Sequence, residues 1–455
     1  MSGLLKRLSI FVCHHSISCP ELYFFISILN MMEKKSTPEL LAPAGSPEKL
    51  KAALRFGADA VYLGAADFSL RVRVNDFNIP RIRQAVSYAR TRGKKVYVTV
   101  NIFAHNRHFS SLPGYIKKLR EIGVDALIVS DPGVITLIQE LWPQAEIHLS
   151  TQANCLNWRS ASFWQKNGVK RIILGREINL VDISKIKRKL PGLELEYFVH
   201  GSMCMAYSGR CFLSQYFLNR SANLGDCVQP CRWPYQVKQA ELWDEEKQRS
   251  LRIEEDSSGS YILNAQDLCL IEYLRDLKKA GVDSFKIEGR NKSVYYLSMV
   301  TGAYRQALEE IESSKEDVSD KLSFLKQELE EKLFHRGYGT GFLLGEVAEQ
   351  TSDTSTCQSG WEFCGQVLRK ARSSRENKGK YLLKVKVHNS IRVGDVVEIV
   401  KPFYNVDRVK IEKMWNSENG EEIIEAHGGG SRIRVLLGVD NFVEEGSVLR
   451  RIIKT

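Results

Sequence analysis

Four of the ten cysteines in this chain of 455 residues fall within 28 positions: Cys204, Cys211, Cys227 and Cys231, with six, fifteen and three residues between successive members. Thiolates are soft ligands, so a quartet this dense argues for zinc or an iron–sulfur cluster rather than magnesium or calcium. Structural zinc favours two tight pairs with two to four residues between partners, and here Cys227 and Cys231 alone satisfy that. The wide first gap therefore favours a cluster, of the 4Fe-4S type, with zinc as the alternative. Buried core thiols are a third reading, but they fit poorly among so many glycines and polar residues. Ten cysteines are too sparse for a disulfide scaffold.

Such a loop needs a frame. From Pro38 onward, short apolar runs alternate with longer amphipathic segments, the pattern of βα units around a parallel sheet. Eight runs read as strands covered on both faces: Glu39–Ala44, Ala60–Gly64, Lys95–Asn101, Ala126–Asp131, Glu146–Gln152, Arg171–Glu177, Glu194–Gly201 and Ser284–Arg290. Ser46 as N-cap and Pro47 in the first turn open the first helix, and 81–92, 112–122, 133–141, 161–167 and 180–190 fill later gaps. Gly57–Ala–Asp59, Gly123–Val–Asp125 and Gly281–Val–Asp283 repeat one device, a C-cap glycine leading into the next strand. Eight strands and this repetition predict a TIM-like (β/α)8 barrel over 36–315. A cysteine-rich insertion, 202–260, follows the seventh strand. A charged, solvated helical linker (316–344) and a small C-terminal antiparallel β-barrel (345–455) come after it.

Cys204 thus lies just past the C-terminal end of strand seven, on the face where such barrels keep their active sites. Side chains at strand ends point into that mouth: Asn101, Asp131, Gln152, Arg176, Glu177, His200, Glu288 and Arg290, with Arg71 and Arg73 on the loop after strand two. His200 and Glu288 could move protons, and with Arg290 they are the catalytic candidates. Arg71, Arg73, Asn101, Gln152, Arg176 and Glu177 are the substrate-binding ones. Planar guanidinium groups would grip a small dicarboxylate or an RNA phosphate, unless they serve mouth salt bridges with Glu177, Glu288 or Asp131.

The net charge of +11 favours a polyanionic partner without demanding one. A basic run from Arg369 to Lys380, in the same β-domain as Phe403, Tyr404 and Trp415, offers charge and aromatics as single-stranded RNA recognition uses them, or else a solvated hairpin turn. Residues 1–35 contain a broken apolar run that lacks a signal-peptide core and cleavage site, and they read as a start assigned too far upstream. No stretch approaches the roughly 18 to 20 uncharged apolar residues of a spanning helix, which places the chain in the cytosol.

The segment Glu196–Tyr–Phe–Val–His–Gly–Ser–Met–Cys204–Met–Ala–Tyr–Ser–Gly–Arg–Cys211–Phe–Leu–Ser214 resembles the signature of the collagenase-like peptidase U32 family. Pro38–Glu–Leu–Leu–Ala–Pro–Ala–Gly45, Leu70–Arg–Val–Arg73 and Lys286–Ile–Glu–Gly–Arg290 resemble its other recurring segments, so the likeness spans about 38 to 345. The C-terminal region is similar to the extension of the family's transfer-RNA hydroxylation branch. That branch makes 5-hydroxyuridine in the anticodon loop with a cluster and prephenate, and a sister branch hydroxylates ribosomal RNA. The resemblance implies Cys204, Cys211, Cys227 and Cys231 as cluster ligands, prephenate as co-substrate, and tRNA or rRNA as partner. Proteolysis, which the family name suggests, has poor support in the residues. There is no His–Glu–x–x–His or Gly–x–Ser–x–Gly motif, and the cysteines look like grouped ligands rather than one activated thiolate. A non-catalytic RNA-binding factor with a structural metal is the remaining alternative.

Overall fold

In a computed structural model, the described residues are those from 37 to 453 apart from 66–67, 71–75, 205, 209, 212, 234–241, 245–248, 252–254, 257–258, 261–264, 314–316, 346–358, 372–380, 429–433 and 440–442. The expectation for residues 1–35 lies outside them. Eight parallel strands form the first unit: β1 (Glu39–Pro43), β2 (Ala60–Leu63), β3 (Lys95–Val100), β4 (Ala126–Val129), β5 (Ile147–Leu149), β6 (Arg171–Ile173), β7 (Glu194–Ser202) and β8 (Ser284–Ile287). Each pairs with the next, and β8 pairs with both β7 and β1, so the sheet closes as the sequence predicts.

The repeated Gly–x–Asp device does more than stop a helix. Gly57, Gly123 and Gly281 take positive φ, and the aspartate that follows each accepts a backbone N–H from a neighbouring strand: Asp59 from Leu40, Asp125 from Val96 and Asp283 from Leu195. The device therefore registers adjacent strands at the bottom of the barrel. A helix between the insertion and β8, Leu274–Ala280, completes the set and was hidden by its shortness.

The insertion holds a short helix, Leu213–Leu218, and returns as Asp267–Cys269, which pairs antiparallel with the end of β7. The last barrel helix is Val294–Ser313. The helix after it, Ser319–Lys332, is not simply the solvated element its charge predicts, because Leu322, Leu325 and Leu329 are buried. Their i, i+3, i+7 spacing makes one face apolar, and that face joins the main core.

The C-terminal region is an antiparallel domain with strands β9 (Trp361–Ala371), β10 (Tyr381–Val387), β11 (Ser390–Arg392), β12 (Val396–Lys401), β13 (Asn405–Lys410), β14 (Met414–Asn416), β15 (Glu425–His427), β16 (Arg434–Val439) and β17 (Val448–Ile452). Seven pair in the order β13-β12-β17-β9-β10-β16-β14. Ile399 and Val409 near one edge and Met414 at the other share a single core, as in a sheet curled on itself. The domain docks on the last two helices through Arg450, which is 1 % exposed and reaches Glu328, Glu398 and the Tyr404 hydroxyl. Lys332 lies 3.6 Å over the Trp361 ring at the same seam.

Candidate active site

Strand alternation aims Lys286, Glu288 and Arg290 into the barrel mouth. A solvent-open cavity of about 120 Å³ there is lined by all three, with Tyr62, Asn101, Gln152, Arg176, Phe198 and Cys204 among its other walls. Arg290 is buried and held on the β2 side: it donates to the Ser69 hydroxyl at 3.0 Å and the Leu70 carbonyl at 2.6 Å. Glu288 accepts from the Tyr62 hydroxyl at 3.0 Å. Its place is set by Gly201 (φ +114°), where an added Cβ would meet the Glu288 carbonyl oxygen at 2.6 Å.

The opposite wall is an amide chain. Asn101 Nδ2 donates to Gln152 Oε1 at 2.8 Å, and the Ser150 hydroxyl donates to the same oxygen at 3.0 Å. Gln152 Nε2 is buried without a hydrogen-bond partner among the described residues. An orphaned amide donor costs roughly 1–3 kcal/mol, so its retention on a cavity wall marks a place for a ligand acceptor. Beside it the Arg176 guanidinium stacks 3.8 Å from the Phe198 ring and makes no side-chain hydrogen bond or ion pair among the described residues. The mouth thus offers donors and positive charge without hydrogen-bond partners among the described residues.

Below the cavity, the barrel floor is the reverse. Glu196 is fully buried between Lys286 (2.6 Å) and Arg171 (3.3 Å), and Arg171 also meets Glu39 at 2.5 Å and Glu194 at 2.7 Å. Burial works to raise the Glu196 carboxyl, but the two cations prevail and hold it below the ordinary carboxylate range.

His200 requires a correction. Register slips between β7 and β8 after Lys286, a β-bulge that turns His200 away from the mouth. Its ring instead sits 5.2–5.9 Å from those of Tyr296, Tyr304 and Tyr338, and burial lowers its pKa to about 3. It is a neutral packing residue, not a proton carrier in the cavity. Two other candidates also have local duties. Asp131 caps the helix Pro132–Leu141 by accepting from the Val134 N–H. Glu177 accepts from the backbone N–H (2.8 Å) and hydroxyl (3.1 Å) of Ser208. Arg71 and Arg73 lie outside the described residues.

The Glu177 contact is one of several among the described residues that pin the cysteine-rich loop across the mouth, and the Arg176 N–H also donates to the Ser208 hydroxyl at 3.4 Å. Arg210 donates to the Gln152 carbonyl at 3.2 Å, and the Phe103 N–H donates to the Asn223 carbonyl at 3.3 Å. Within the loop, the Cys211 N–H donates to Asn223 Oδ1, and the Ser214 hydroxyl bridges Cys227 Sγ (3.8 Å) and the Val228 N–H (3.2 Å). Cys204 and Cys227 are exposed and Cys211 and Cys231 half-buried, and none of the four is in a disulfide. Cys155, Cys269 and Cys364 contrast with them: burial pushes these core thiols up to about 12, 11 and 12. Among the described residues no three His, Cys, Asp or Glu side chains are grouped as a bound metal ion would require. The four thiols of this loop are nonetheless the soft donors that zinc or an iron–sulfur cluster takes.

In the C-terminal domain, residues 372–380 of the basic run lie outside the described residues. Tyr404 does not face solvent: it is 4 % exposed, and its hydroxyl donates to Glu328 at 3.1 Å. Sequence reasoning also missed Lys286 and Tyr62 as cavity residues. The period of two running through Lys286, Glu288 and Arg290 contained that signal.

Comparison with known proteins places this architecture. The family model for peptidase family U32 matches residues 45–353, and that for its C-terminal domain matches 359–450. "tRNA hydroxylation protein P" of Escherichia coli is 38 % identical over 86 % of this chain and 92 % of its own. An uncharacterized protease of Methanocaldococcus jannaschii is 38 % identical over 68 % of this chain and 74 % of its own. The "23S rRNA 5-hydroxycytidine C2501 synthase" of Escherichia coli is 36 % identical over 66 % of this chain and 44 % of its own. With its closed barrel, cysteine-bearing mouth and β-domain, the chain belongs to the U32 peptidase family.

Proposed function

We propose that this protein is an RNA-hydroxylating enzyme that acts on tRNA, forming 5-hydroxyuridine in the anticodon loop. The observation that carries the reading is the loop of four clustered thiols hydrogen-bonded across a cavity whose Arg176 and Gln152 Nε2 donors have no hydrogen-bond partner among the described residues. Relatives named for tRNA hydroxylation and for rRNA 5-hydroxycytidine synthesis support RNA as the substrate class. Cys204, Cys211, Cys227 and Cys231 would hold an iron–sulfur cluster, which when bound supplies one-electron chemistry. The residues of the mouth would bind and orient. Arg176 and Gln152 donate to an anionic co-substrate, for which the reading adopts prephenate, and Glu288, hydrogen-bonded to Tyr62, holds or receives a proton.

A protease reading would need a nucleophile activated by a base, yet His200 is sealed among tyrosines and Glu196 is committed to two cations. The test is nucleoside analysis of tRNA from a strain lacking the gene. Derivatives of 5-hydroxyuridine should vanish, return with the wild-type gene, and stay absent with Cys204→Ser. Unchanged 5-hydroxyuridine in a strain without a redundant enzyme overturns the reading.

A further inference from the structure

The short helix Leu213–Leu218 is inside out. Its fully buried residue is Ser214, whereas Tyr216 is 83 % exposed, Leu218 48 % and Phe217 45 %. Soluble helices normally bury such residues, and an apolar patch that stays exposed marks an interaction surface. The inversion has a local cause: Ser214 must face inward to hold Cys227 and Val228, and this turns the aromatics outward. The rings form a series, with Tyr216 and Phe217 centroids 5.2 Å apart and Phe217 and Trp233 6.1 Å apart. Tyr207, 60 % exposed, stands on the same insertion, next to the Ser208 that anchors it to Glu177.

The charge of the segment that carries these rings is mostly positive. Asp226 is the one acidic residue in 204–233, and it is paired with Arg220 at 2.6 Å. Arg210 is exposed between Tyr207 and the helix, and exposed His105 and Arg107 flank the loop that Phe103 ties to Asn223. Exposed aromatic faces beside the exposed Arg107 and Arg210 match the backs of unpaired bases and the phosphates joining them. A second copy of this chain would bring the same cations against themselves.

We infer that Tyr207, Tyr216 and Phe217 form a stacking platform for unpaired RNA bases beside the barrel mouth, gripping the loop that carries the target nucleotide. This rests on the RNA reading above and adds where the RNA lies. The platform sits on the cysteine-rich insertion, so it also departs from the basic run of the C-terminal domain as the recognition surface.

The test measures binding of the full-length protein to an unmodified anticodon stem-loop RNA and to a blunt duplex RNA of equal charge. Wild type should prefer the stem-loop. Tyr216→Ala and Tyr207→Ala should each weaken that binding by on the order of tenfold and leave duplex binding unchanged, while Tyr216→Phe retains it. Thermal melting checks that the variants fold. Equal stem-loop affinity in wild type and both alanine variants overturns the platform, and does so in favour of a self-association face if sedimentation shows that Tyr216→Ala turns a dimer into a monomer. Failure of wild type to bind either RNA overturns the RNA reading itself, a result distinguishable from loss of the stem-loop preference alone.

Discussion

The floor and the mouth of one barrel spend their polar groups in opposite ways. On the floor, Glu196, Lys286 and Arg171 are buried, Glu39 is half-buried, and all are answered by opposite charge. At the mouth, one strand spacing higher, Gln152 Nε2 has no hydrogen-bond partner among the described residues and Arg176 rests on an aromatic face. The paired groups hold the barrel in register, and the mouth is where the proposed ligand would find donors. Lys286 belongs to both zones, since it lines the cavity while its ammonium is bonded to Glu196. The floor therefore fixes the position of a cation that the mouth presents.

Four substitutions or conditions would break or sharpen this contrast. Glu196→Gln removes the carboxylate from between two buried cations and should cost about 3–5 kcal/mol of stability by denaturant titration. A change under about 1 kcal/mol would mean that the floor is not an obligate charge network. Gln152→Leu should cost less stability, about 1–3 kcal/mol for the Asn101 and Ser150 donors it strands, while lowering activity on RNA by roughly 10- to 100-fold. Loss of stability with activity kept would show the mouth amides to be structural.

The His200 site supplies a pH test. An unfolded histidine takes its proton near pH 6.5, whereas the buried one, facing Lys292 and His335, resists until about pH 3. The unfolded state thus binds more protons between these values, so stability drops as the pH is lowered from about 6.5 toward 3, by up to about 1.4 kcal/mol per pH unit. His200→Phe should flatten that slope, and an unaltered slope would return His200 to solvent. The smallest effect is expected at Tyr404→Phe, which removes hydrogen bonds to Glu328 and Arg450 and should cost about 1 kcal/mol. Its RNA affinity should be unchanged, and a fall in that affinity would restore the domain seam as a nucleic-acid surface.

Much of the fold was legible because a parallel barrel writes itself locally. Each strand is a short apolar run, and the Gly–x–Asp device marks where three helices yield to strands. The helix Leu274–Ala280 was missed because its seven residues are too few for a clear period beside a long insertion. Within the site, Asn101, Gln152, Arg176, Glu288 and Arg290 line one cavity as strand-end geometry suggested. His200 left the set through a single bulge, which shifts a residue to the other face without altering composition. Tyr404 left it because an aromatic beside a basic run looks the same whether it meets RNA or a neighbouring domain.

By itself, the order of residues determined the periodicities, the turn chemistry and the crowding of four thiols after the seventh strand, since these depend on neighbours along the chain. Tertiary structure alone decided which polar groups find partners. Glu39 meets Arg171, and Gln152 does not satisfy its amide, because closing the barrel sets a floor where charges from distant strands are forced together and a mouth where they are held apart.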